Sequence, residues 1–188
     1  MDPEDLEYFT GELETDGEIM EGILSYIDIK SGTNRKNMCK EGGSVLYGSS
    51  WQGFLSYDKV SGEKILRKRD PDRPSRFLTK LKVERPDLMD VFEEYRNLHF
   101  PQFQFNQVMI NKSYPIGRHK DKKNCGVSYL VTFGEFQGGK TRVYGLHAGV
   151  DYSDLDSKNS PVSFDGSQLE HECLPFQGDR YALVFFWS

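Results

Sequence analysis

Two of the four histidines, His119 and His171, stand where a metal site would want them. His119 precedes Asp121 by two residues. On an extended segment such residues project to the same side, so an imidazole and a carboxylate can reach one ion. His171 lies fifty residues beyond Asp121, in a second strand-like segment, Leu169-Glu-His-Glu-Cys-Leu174. Two histidines and one carboxylate can form a facial triad. On an octahedral ferrous ion that triad leaves three adjacent positions open, enough for a chelating cosubstrate and dioxygen. Arg180 follows His171 by nine residues across the turn Pro175-Phe-Gln-Gly-Asp179. Neighbouring antiparallel strands lie about 5 Å apart, so Arg180 can stand close to the ligands. Its planar fork suits a carboxylate. A five-carbon dicarboxylate could chelate the metal at one end and pair with Arg180 at the other.

The segments that must position these groups lie in the carboxy-terminal half. Phe103 to Asn111 alternates like a strand, as does Val127 to Phe133. Thr141 to Tyr144, Val162 to Asp165, Leu169 to Leu174 and Tyr181 to Trp187 complete the set. Glycine turns at Gly134, Gly138-Gly139, Gly166 and Gly178 separate them. Short strands punctuated in this way indicate a sandwich, barrel or jelly roll. The pattern gives a mainly β protein with flanking helices (α+β), its core over about residues 103–188. The part from about 21 to 102 decorates that core, within one domain over 21–188. Pro86 to Leu98 is the best helix, with its proline in the first turn. Glu4 to Leu13 is a weaker helix candidate, and Gly22 to Ile29 reads as a strand. Pro71 and Pro74 argue against regular structure between Lys59 and Arg76.

Of 188 residues, 24 are basic and 29 acidic, for a net charge of -5. Ten of the acids, and no Lys or Arg, fall within residues 1–28, so residues 1–20 read as an acidic arm on a mildly basic body. Lys59 to Arg85 holds ten basic and four acidic residues, a stretch able to track a phosphate backbone or simply to form a solvated face. No apolar run approaches the ~20 residues of a membrane helix. The first residues lack a signal-peptide pattern, and three cysteines without framework spacing suit a reducing compartment. An intracellular protein, cytoplasmic or nuclear, is expected.

His119-Lys-Asp-Lys-Lys-Asn124, Gly134-Glu-Phe-Gln-Gly-Gly139, the distal His171 and Gly178-Asp-Arg180-Tyr together resemble the Fe(II)/2-oxoglutarate-dependent oxygenase superfamily. They look most like the nucleobase-oxidising TET and base-J-binding-protein branch. The resemblance covers about residues 103–188. It implies a double-stranded β-helix (jelly roll), with Fe(II) held by the catalytic residues His119, Asp121 and His171. It also implies 2-oxoglutarate anchored by Arg180, ascorbate as reductant, and dioxygen as co-reactant. Asn111 resembles the asparagine with which AlkB-type relatives hold the cosubstrate. The nine-residue step from His171 to Arg180, and Gly138-Gly-Lys-Thr141, look more like prolyl hydroxylases.

Three functions therefore stay open. The first is hydroxylation of a methyl-bearing nucleobase in nucleic acid, with Lys59 to Arg85 as the contact. The second is hydroxylation of a prolyl or other protein side chain. The third is a non-catalytic metal-binding jelly-roll module. On this reading Asn124 braces the Asp121 loop or occupies a turn, and His171-x-Cys173 is an alternative fragment of a zinc site.

Overall fold

The computed structural model describes residues 7–29 and 42–188. Helix α1 (Leu13–Ser25) is followed by β1 (Gly43–Ser50), β2 (Phe54–Tyr57), β3 (Lys64–Leu66), β4 (Arg69–Asp70) and β5 (Arg73–Leu78). Helices α2 (Lys80–Glu84) and α3 (Leu88–His99) lead into β6 (Gln107–Lys112), β7 (Ser128–Phe133), β8 (Phe136–Gly138) and β9 (Thr141–Tyr144). The chain then forms β10 (Tyr152–Leu155), β11 (Val162–Phe164), β12 (His171–Cys173), β13 (Phe176–Gly178) and β14 (Tyr181–Phe186). The major sheet runs β11-β7-β14-β6-β1-β5-β4. A smaller sheet, β10-β9-β12, and the pairs β13-β8 and β2-β3 complete the architecture. This is the jelly roll expected of the carboxy-terminal half.

Period-two alternation divides the major sheet into two faces. On β14, Leu183 and Phe185 join the larger apolar core, whereas Ala182, Val184 and Phe186 line a cavity on the opposite face. On β6, Val108 and Ile110 take the core side, and Met109 and Asn111 the cavity side. The core side is closed by helices. Phe92 of α3 meets Phe185 edge-on at 5.9 Å and Tyr47 of β1 at 5.3 Å. Tyr95 meets Phe133 at 5.7 Å. Each such ring pair adds about 1 kcal/mol beyond its area burial.

Several sequence expectations need correction. The amino-terminal half does not merely decorate the core: β1 pairs with the whole of β6, from Gly43↔Lys112 to Gly48↔Gln107. Most of Gly22 to Ile29 is the end of α1 and its turn, not a strand. Glu4 to Leu13 is not helical where it is described, residues 7–12 being irregular; residues 1–6 lie outside the described part. Lys59 to Arg76 is partly regular, carrying β3, β4 and the start of β5 between turns. Pro71 occupies the β4–β5 turn, and Pro74 sits between the paired positions Arg73 and Phe77, where no ladder donor is needed.

Of the acidic segment, residues 7–20 pack against the body of the protein. Phe9, Met20 and Leu24 are buried in the core. Gly17 lets α1 dock closely, because a Cβ there would stand 2.4 Å from Asn159 Oδ1. Asp16 is fully buried at 0% exposure. Its carboxylate accepts from Thr10 N (2.6 Å), Thr10 Oγ1 (2.8 Å) and Gly11 N (2.9 Å), and lies 2.8 Å from His99 Nε2 at the end of α3. Burial opposes its charge, but these donors prevail and lower its pKa below the ordinary carboxylate value. Because the folded-state value is depressed, the stabilisation is complete above the unfolded value near 3.8 and is lost as pH falls through the folded one. Asp16→Asn should cost about 3 kcal/mol near neutrality and flatten the acid limb of a urea-unfolding series. An unchanged midpoint would show that the cluster contributes nothing.

Candidate active site

The two histidines are brought together by backbone pairing. His119 N donates to His171 O and His171 N to His119 O, both at 3.0 Å, in an isolated antiparallel bridge. Their rings then lie 4.3 Å apart. Asp121 is set by its own amide, which donates to Gly166 O at 2.8 Å. The sequence separation of fifty residues thus closes into one cluster. The ligand atoms of His119, Asp121 and His171 all lie within 4.8 Å of one another, and no cysteine joins this metal-ligating group among the described residues.

The ring orientations decide what the cluster can hold. His119 Nδ1 lies 2.7 Å from Gly117 O, and His171 Nδ1 lies 3.0 Å from Leu169 O. A carbonyl only accepts, so each Nδ1 carries a proton and each ring turns its Nε2 inward, a lone pair whenever the ring is neutral. These nitrogens face carboxylate oxygens: His119 Nε2 is 3.3 Å from Asp121 Oδ1, and His171 Nε2 is 3.4 Å from Asp121 Oδ2. Acceptor atoms converging in this way require a cation between them, either protons or a metal. Burial opposes ionisation of Asp121, yet with protons on Nε2 the hydrogen bonds from the imidazoles outweigh it and hold the carboxyl far below its usual range. Burial likewise opposes charge on His119, but Asp121 and the Gly117 carbonyl raise its pKa. The donor set fits a divalent ion of the Fe(II) or Mn(II) type.

Two neighbours brace the carboxylate. Asn124 Nδ2 reaches Asp121 Oδ2 at 3.4 Å and Ser128 Oγ at 3.2 Å, the first of the two roles open to it in the sequence. From sequence Gly166 stands out only as a turn glycine between strands, not as a site residue. A Cβ at Gly166 would stand 2.9 Å from Asp121 Oδ2 and 3.1 Å from His171 Cε1. Gly166→Ala should therefore weaken Mn(II) binding about tenfold to a hundredfold with all three ligands present. Wild-type affinity measured by calorimetry would contradict this tight fit.

The triad opens into a cavity of about 220 Å³ between the major and smaller sheets. Arg180, Asn111, Thr141, Cys173 and Tyr114 line it together with His119, Asp121 and His171. Arg180 is 3% exposed. Its Nη2 donates to Gly139 O at 3.1 Å, and its guanidinium lies 5.3 Å from the Phe176 ring and 5.6 Å from that of Phe136. Among the described residues no carboxylate pairs with it, and its Nε has no hydrogen-bond partner. Burial lowers its pKa and raises that of the Cys173 thiol on the same wall. Asn111 Oδ1 is a second buried atom without a partner. A buried cation without a counter-ion and an unsatisfied amide oxygen on one cavity wall are unusual. The unpaired guanidinium fits a cavity made for an anion, whereas Asn111 Oδ1, an acceptor, asks for a donor on the occupant. Structure thus gathers all five sequence candidates, His119, Asp121, His171, Arg180 and Asn111, around one space.

No family model matches the sequence, and no curated protein matches it. Among solved structures, OsALKBH1 aligns over 93% of this chain and 92% of its own at 13% identity, with a TM-score of 0.50. A prolyl-4-hydroxylase from Pseudomonas putida aligns over 95% of this chain and 88% of its own at 14% identity, with a TM-score of 0.48. NgTET1 in complex with 5mC DNA aligns over 93% of this chain and 67% of its own at 14% identity, with a TM-score of 0.49. At such identities the likeness is one of fold. The chain has the jelly-roll fold of the 2-oxoglutarate/Fe(II) oxygenases.

Proposed function

We propose that the protein is an Fe(II)- and 2-oxoglutarate-dependent dioxygenase that hydroxylates a C–H bond, with a methyl-bearing nucleobase in nucleic acid as its substrate. The observation that carries this reading is the pairing, within one cavity, of two inward-facing imidazole lone pairs on a carboxylate with a buried guanidinium that has no counter-ion. His119, Asp121 and His171 would hold the metal. Arg180 would take the distal carboxylate of the cosubstrate, and Asn111 one of its oxygens. When bound, iron with 2-oxoglutarate and dioxygen supplies the oxidising power, releasing succinate and carbon dioxide as one oxygen atom enters the substrate.

The protein's own residues do the rest. Carbonyls of Gly117 and Leu169 keep both rings in the ligating tautomer. Apolar groups on the cavity wall, among them Leu130, Val184 and Phe164, limit water near the reacting centre. With the metal held by His119, Asp121 and His171, the substrate carbon would need only to be positioned beside that cluster. The basic stretch from Lys59 to Arg85 favours a polyanion over a neutral peptide. Ascorbate is expected to sustain turnover by keeping the metal ferrous.

The test is a substrate screen. Oligonucleotides bearing thymine or 5-methylcytosine, and proline-containing peptides, would be incubated with Fe(II), ascorbate and 2-oxoglutarate, then weighed by mass spectrometry. Gain of one oxygen on a nucleobase is the expected result. Gain on a peptide alone would move the substrate to protein, and no succinate with any substrate would remove the dioxygenase reading.

A further inference from the structure

Both tryptophans of the chain lie on one surface beside the cavity. Trp51 follows β1 and is 61% exposed. The guanidinium of Arg76 covers one face of its ring, 4.0 Å from the centroid. Trp187 follows β14 and carries the guanidinium of Arg73 at 4.2 Å. The two stacks are tied together: Arg76 Nη1 donates to Ser49 O at 3.1 Å and to Ser188 Oγ at 3.2 Å.

This surface is joined to the metal-ligand loop. Trp187 O accepts from Cys125 N at 2.7 Å, and Asn124 N donates to Asp121 O at 3.0 Å. Phe186, adjacent to Trp187, lines the cavity itself. The same loop carries the exposed Lys122 and Lys123. Among the described residues no carboxylate lies within ion-pair distance of Arg73, Arg76, Lys122 or Lys123.

An indole backed by a cation on one face leaves its other face for a second flat ring. The positive charge around it, Arg73, Arg76, Lys122 and Lys123 against the neighbouring Asp70, repels cationic ligands and attracts anionic ones. A partner that offers both flat rings and regular negative charge is a polynucleotide. In a duplex the bases stay inside their own stack, whereas a single strand presents them freely. We propose that the surface formed by Trp51 on Arg76 and Trp187 on Arg73 is a stacking platform for single-stranded nucleic acid, laid alongside the cavity mouth. The inference rests on the nucleic-acid reading above and deepens it by naming the strand form and the docking face.

Fluorescence anisotropy tests it in the absence of iron and 2-oxoglutarate. The probes are a labelled oligothymidine of about twelve nucleotides, a labelled duplex of the same length, and labelled polyglutamate. The single strand should bind at least about tenfold more tightly than the duplex or polyglutamate. W51A and W187A should each weaken it about tenfold, while W51F keeps most of the affinity. Intrinsic tryptophan emission should be quenched on binding, since both indoles are in the platform. Alanine variants that bind like the wild type, or equal affinity for duplex or polyglutamate, would overturn the proposal. H171A should bind the strand normally, so loss of metal chemistry and loss of the platform are separately visible. Oxygenation of a peptide without oligothymidine binding would reject the platform while leaving the dioxygenase reading intact.

Discussion

His171→Ala is expected to lower Mn(II) affinity by about a hundredfold or more and to abolish 2-oxoglutarate-dependent succinate formation. The magnitude follows from the donor set. Metal binding by a few protein ligands is worth on the order of 10 kcal/mol, so one of three ligands carries roughly 3 kcal/mol, or about two decades. The geometry sharpens the expectation. Asp121 Oδ2 faces His171 Nε2 at 3.4 Å, and removal of the ring leaves that oxygen with only Asn124 Nδ2, also at 3.4 Å. His171 is nearly buried at 7% exposure, so water replaces it poorly. His171→Gln, which restores bulk and a donor, should recover folding stability but little metal binding. Calorimetry with Mn(II) and an assay for succinate read the two effects separately. Wild-type metal affinity in the alanine variant would remove His171 from the site.

Arg180→Met is expected to have two effects of opposite sign. It should weaken 2-oxoglutarate binding by thirtyfold to several thousandfold, the ~2–5 kcal/mol that follows removal of one partner of a buried charge pair. It should also stabilise the ligand-free protein by about 1–3 kcal/mol, because a buried cation without a counter-ion is replaced by an apolar chain of similar length. A purely structural arginine would behave in the reverse way. Its loss would forfeit the bond to Gly139 O and the contacts with Phe136 and Phe176, and would lower the melting temperature. Thermal unfolding with and without 2-oxoglutarate distinguishes the cases. A destabilised variant with unchanged 2-oxoglutarate affinity would assign Arg180 to the scaffold.

The site was more legible in sequence than the scaffold that carries it. His119 and Asp121 declared themselves through spacing, because residues two apart on extended chain share a side. His171 and Arg180 could be added because the strand pattern around them was clear. The direct backbone bridge between His119 and His171 could not be read, since β-pairing across 52 residues leaves no local trace. Nor could the carbonyls that orient the rings, because any residue type supplies a carbonyl.

The amino-terminal half was misread for identifiable reasons. α1 contains Gly17 and Gly22, which lower helix propensity, and tertiary packing of Met20 and Leu24 offsets them. Asp16 looked like one charge among ten, yet it is the buried acceptor that ties α1 to α3. Ser44 to Leu55 reads as a bent strand, and only its pairing with β6 leaves no local trace. Pro74 argued against a strand, but it falls where the ladder asks for no donor.

The measurement that bears most directly on the central claim is a titration of the wild-type protein with Mn(II), repeated in saturating 2-oxoglutarate. If His119, Asp121 and His171 hold one ion that 2-oxoglutarate chelates while Arg180 grips its far end, binding saturates at one Mn(II) per chain. The two ligands then strengthen each other reciprocally by at least about tenfold. No saturable site, or metal binding indifferent to 2-oxoglutarate, would contradict the account.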